Sequence, residues 1–87
     1  MEQQWENSFR EKLNQHYTWP ASYLFKFIVH AGGQQAVYAL MPNALFKENK
    51  SANGKYISVS FESTMPNADS VIAIYKKASL IEGLIAL

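Results

Sequence analysis

Apolar positions along the chain switch between two periods, and each switch marks the start of a new element. Over residues 3–16, Trp5, Phe9 and Leu13 recur at a spacing of four, with Glu6, Arg10, Glu11 and Lys12 between them. That spacing predicts an amphipathic helix with a narrow apolar stripe. Pro20 ends it, because a proline pushes the residue before it out of the helical region. The period then drops to two. Across residues 22–30 the odd positions are Tyr23, Phe25, Phe27 and Val29, and the even positions are Leu24, Lys26, Ile28 and His30. Successive side chains of a strand face opposite ways, so the aromatic set is assigned to the core and the mixed set faces away.

Ala31-Gly32-Gly33 breaks this strand and opens a short helix over 33–41, closed by Pro42, with Val37, Leu40 and Met41 inward and Ala36 at the edge. A weak strand follows over 44–50, where Leu45 or Phe46 points inward. Its Lys47, Glu48 and Lys50 suit an edge strand protected by charge. Asn53-Gly54 tolerates the positive φ of a tight hairpin turn. Beyond it, residues 55–63 alternate, with Ile57, Val59 and Phe61 opposed to Tyr56, Ser58, Ser60 and Glu62. Thr64 to Asn67 supplies helix caps together with Pro66. The helix after it runs to about Ser79, with Val71, Ile72, Tyr75, Ala78 and Ser79 on one stripe and Lys76 and Lys77 placed to complement the helix dipole. Residues 81–87 read as a fourth strand, with Leu84 and Ala86 on the outer face and Gly83, Ile85 and Leu87 on the other.

The order is a helix followed by β-α-β-β-α-β. Split βαβ units of this kind give a four-stranded antiparallel sheet with two helices on one face. Right-handed crossovers put the first and third strands in the centre. The expected fold is therefore α+β, a ferredoxin-like two-layer sandwich over residues 19–87 with an extra amphipathic helical extension over 1–18. At 87 residues the chain has room for one domain.

Composition narrows the functional classes. A net charge of +1 supplies no field to gather nucleic acid or an anionic membrane. The absence of cysteine removes disulfides, thiol nucleophiles and Cys-based zinc sites. The N-terminus has neither a basic nor an apolar signal region, and no apolar run approaches the roughly 20 residues of a membrane span. The expectation is a soluble, cytoplasmic protein.

Trp19-Pro20, the run from Tyr23 to Val29, and Asn53-Gly54-Lys55-Tyr56-Ile57-Ser58-Val59-Ser60 together resemble the YbeD-like family of small bacterial domains of unknown function. The closing residues 82–87 fit as well, so the resemblance covers about residues 9–87. It implies the ferredoxin-like fold, a likeness to the ACT regulatory domains, and no established enzyme activity. The first core helix looks shorter than is usual there, and the aromatic extension holding Trp5 is not general.

RNA-recognition domains of this topology stack bases on outward aromatics of their third strand. Here Tyr56 stands alone, because Ser58 takes the second position, so no nucleic-acid partner is expected. Ser58 and Ser60 near Lys26 form a polar patch, since an open sheet face offers no oxyanion hole. His16 and His30 lie in separate elements without metal-ligand spacing. No catalytic residue, metal or cofactor is expected. Gly32 and Gly33 before a helix N-terminus are a candidate small-ligand site of the ACT kind, although a tight strand-to-helix turn is the better explanation of them.

The outer sheet face remains. Leu24, Lys26, Ile28, Tyr56 and Leu84 are expected to lie bare on it. Either Trp5, Phe9 and Leu13 of the N-terminal helix fold back to cover it, or these residues dock on a second chain as a homodimer or a protein complex. The expected function is a non-catalytic regulatory or protein-interaction module; the alternative is an ACT-like sensor of an amino acid or similar ligand.

Overall fold

The computed structural model describes residues 2–87, with side chains from Gln4 onward; the first residue of the expected extension lies outside the described residues. The elements are α1 (Glu2–His16), β1 (Ala21–His30), α2 (Gln34–Tyr38), β2 (Phe46–Lys50), β3 (Tyr56–Met65), α3 (Ala68–Ala78) and β4 (Ile85–Ala86). The sheet order is β2-β3-β1-β4, and every pairing is antiparallel. This is the ferredoxin-like α+β sandwich, preceded by a helix.

The central ribbon is β1 against β3, in register from Ala21↔Met65 to His30↔Tyr56. Its inward rows hold Phe25, Phe27 and Val29 on one strand and Ile57, Val59 and Phe61 on the other, all buried. Phe25 sits opposite Phe61, and their rings stack at 4.9 Å. α3 closes the core with Val71, Ile72 and Ala78. Its start is fixed by Asn67, whose side-chain oxygen accepts the Ser70 N–H at 2.8 Å.

The structure departs from the sequence pattern at four places. First, Asn53 does not adopt positive φ; only Gly54 does, at 74°. Gly54 N–H donates to the Ser51 carbonyl at 2.9 Å, while the Asn53 side chain accepts from Lys55 N–H and the Ser51 hydroxyl. Second, α2 ends at Tyr38, because Leu40 and Met41 turn back onto the carbonyls of Val37 and Tyr38 ahead of Pro42. Third, Ser79 is exposed beyond the last turn of α3. Fourth, the last strand is shortened to Ile85–Ala86 by a turn in which Gly83 takes φ 75°. That turn fixes the facing of the strand. Ala86 lies opposite inward Phe27 and Ile85 opposite outward Ile28, so Leu84 packs half-buried against the core.

α1 does not fold back over the outer face of the sheet. It lies beside α3 on the helical layer, antiparallel to it. Phe9 meets Tyr75 edge-on at 5.3 Å, and Leu13 is only 4% exposed. Arg10 Nε bonds Asp69 Oδ1 at 2.7 Å, and Lys76 Nζ lies 3.4 Å from Glu6 Oε2. Surface pairs of this kind, with at least one partner largely in solvent, contribute about 0–1 kcal/mol each, so Leu13 and Phe9 hold the helix while the charges set its register. The reason is geometric: the α1 stripe matches the apolar flank of α3, which the two-helix layer leaves open.

Candidate interaction surface

With α1 beside α3, the outer face of the sheet has no cover among the described residues. The register divides that face in two. Along β1 and β4 run Leu24, Lys26, Ile28 and Ile85, with Leu87 continuing the row and donating its N–H to the Lys26 carbonyl at 3.0 Å. Along β3 and β2 run Tyr56, Ser58, Ser60 and Glu62, then Lys47 and Asn49. One half is an apolar stripe interrupted by a single lysine, and the other is polar. Leu24, Ile85 and Leu87 are 57%, 52% and 62% exposed. Burying two or three such side chains contributes a few kcal/mol at about 25 cal/mol per Å².

Local chemistry on this face is modest. The Tyr56 ring lies 5.0 Å from that of His30, which also presses on Gly83 so closely that a Cβ there would come within 2.8 Å of the imidazole. Glu62 accepts a bond from the Ser22 hydroxyl at 3.1 Å. Lys26 stands opposite Ser60 on the open face.

Of the residues singled out from sequence, Leu24, Lys26, Ile28 and Tyr56 are brought together here. Leu84 is not; Ile85 and Leu87 take the outward places. The signal that could have found them is Gly83, a residue able to turn the chain and reset the alternation behind it. Phe9 and Leu13 are spent on α3, whereas Trp5 stays 43% exposed over the end of α3, beside Lys76, Lys77 and Leu80. At the glycine loop, Gly32 N–H is bonded to the Gln34 side chain at 2.9 Å and Gly33 N–H to the His30 carbonyl at 2.8 Å. Gly32 takes φ 93°, the conformation a tight strand-to-helix turn needs.

On the helical side, the Tyr23 and Tyr75 hydroxyls meet at 3.1 Å. Burial, reinforced by that bond, pushes the Tyr75 phenol well above its ordinary value. The native state therefore holds this proton more tightly than the unfolded chain does, and the associated stability is present below pH 10 and lost as pH rises above it. The urea midpoint is expected to fall as pH rises above 10, and to fall less steeply in Tyr75→Phe. Equal slopes in the two proteins would rule out Tyr75 as the source. Absorbance at 295 nm should show Tyr75 ionising only as the protein unfolds.

Among the described residues, no group of three or more His, Asp or Glu side chains is placed to hold a metal, and no helix is long and apolar enough to cross a membrane. A family model described as "Protein of unknown function (DUF493)" matches residues 14–86. The chain belongs to this family. The match takes in all four strands, α2 and α3, and starts inside α1, so Trp5, Phe9 and Leu13 precede the matched part of the DUF493 domain. It agrees with the YbeD-like resemblance of the strand motifs. No curated protein and no solved structure matches the chain.

Proposed function

We propose that this DUF493 domain is a non-catalytic regulatory or interaction module that engages a protein partner through the outer face of its sheet. The observation that carries this reading is the stripe of Leu24, Ile28, Ile85 and Leu87, left open because every helix lies on the other side. Polar residues along β3 border the stripe, an arrangement of apolar centre and polar margin common in protein interfaces. The polar residues of the face run along β3 and β2, and Lys47, Ser60 and Glu62 share a shallow pocket with Leu24.

Sedimentation velocity across a wide concentration range, with affinity capture on the immobilised chain, tests the proposal. Ile85→Glu places a charge in the stripe at an exposed position, so folding is expected to stay within about 0.5 kcal/mol of wild type. Self-association or capture of a specific partner should weaken at least tenfold. A wild-type chain that stays monomeric at high concentration and captures no partner would remove the basis for this reading.

A further inference from the structure

The apolar side chains of the outer face occupy two adjacent strands, Leu24 and Ile28 on β1 with Ile85 and Leu87 beside them on β4. Paired strands lie about 4.8 Å apart, so the stripe is about as wide as one helix, whose diameter with side chains is about 10 Å. It is a narrow target. Leu24, Ile85 and Leu87 are little more than half exposed, and Ile28 less. Their joint area falls well short of the roughly 800 Å² per partner of a standard stable interface. A second sheet laid on this face would also have to cover Ser58, Ser60 and Glu62 of the polar half.

Main-chain groups of a sheet lie in its plane and serve the neighbouring strands; within the stripe, the Lys26 carbonyl already accepts the Leu87 N–H. The face therefore offers side chains alone, and a segment resting on it must satisfy its own N–H and C=O groups. A helix does so internally.

One charge stands in the stripe. Lys26 lies between Leu24 and Ile28 on β1, is exposed, and makes no ion pair among the described residues. Glu62, on the polar half, is engaged with the Ser22 hydroxyl. A two-fold that laid stripe on stripe would bring two Lys26 ammoniums together, and like charges so placed oppose association. An acid on a different protein removes that conflict.

From Leu24 to Ile28 the strand advances about 14 Å, at about 3.4 Å per residue. A helix spans about 11–12 Å in seven or eight residues, and positions so separated share one face. At the Leu24 end lies a shallow hollow of 470 Å³, walled also by Met41, Ala44 and Leu45, with room for one large side chain.

We propose that the outer face binds an amphipathic helix of a partner protein, laid along β1, with a carboxylate over Lys26. Apolar residues seven or eight positions apart meet Leu24 with its hollow at one end and Ile28 with Ile85 at the other. The acid stands three or four positions from the first of them. This inference rests on the outer-face reading and names the partner's chemistry.

The test uses the full chain as bait for a phage-displayed library of 16-residue amphipathic helices, followed by titration with synthetic copies of the enriched sequences. Enriched helices are expected to carry Asp or Glu between two apolar anchors. Lys26→Glu should weaken their binding roughly tenfold or more, and replacing the peptide acid by lysine should restore it to that variant. Lys77→Glu makes the same change of net charge on the helical side of the domain and should bind within about threefold of wild type. Proline at the centre of the peptide should abolish binding. The proposal falls if no helix is enriched, if Lys26→Glu binds undiminished, or if the proline peptides bind as well as their parents, which would make the partner extended. A homodimer of the free chain that Ile85→Glu disrupts and the helices do not displace would make a second copy the occupant, overturning this inference while leaving the outer-face reading standing. Enriched helices that bind Ile85→Glu as well as wild type would sink both.

Discussion

Phe25→Ala is expected to lose about 3–5 kcal/mol of folding stability, the range for emptying a fully buried aromatic site. A domain of this size has a total stability of roughly 4–13 kcal/mol, so the variant should be marginal or unfolded at 37 °C. The magnitude follows from where the ring sits. Phe25 is fully buried, stacks on Phe61 at 4.9 Å, and meets Tyr23 at 4.8 Å and Tyr75 at 5.6 Å. It therefore links both central strands to α3, and the surrounding rings are held in place by β1, β3 and α3, which limits their collapse into the space. The neighbouring Leu24→Ala is the control. Its side chain faces the other way and is 57% exposed, so its change should stay within about 0.5 kcal/mol. Urea denaturation of both variants measures the contrast. A loss below about 1.5 kcal/mol for Phe25→Ala, or an equal loss for Leu24→Ala, would mean that the alternation along β1 is misassigned.

That alternation is where the sequence spoke most clearly. Large side chains at every second place in β1 and β3 are enough to choose the core faces, because a slip of one residue would expose Phe25, Phe27, Val59 and Phe61 together. Strand order followed from the element order and the handedness of crossovers. The last strand was less legible, because a strand of two residues carries almost no periodic signal and its facing depends on the Gly83 turn. α1 was harder still. Trp5, Phe9 and Leu13 announce an apolar stripe, but periodicity says nothing about which surface the stripe meets. The apolar half of the outer face was visible in Leu24 and Ile28.

The second large effect concerns α1. A chain beginning at Tyr17 is expected to be less stable than the full chain by about 4 kcal/mol or more, since Leu13→Ala alone should cost about 2–4 kcal/mol and Phe9 is lost with it. Arg10→Ala, which breaks the ion pair with Asp69 and the bond to the Asn7 side chain, should cost about 1 kcal/mol or less. This grading separates two pictures of the helix. If α1 were a detachable arm held by charge, truncation and Arg10→Ala would have similar small effects, and salt would mimic both. If α1 completes the helical layer, truncation bares Tyr75 and Tyr23, and the loss far exceeds the electrostatic part. Urea melts of the three variants at low and high salt decide between them.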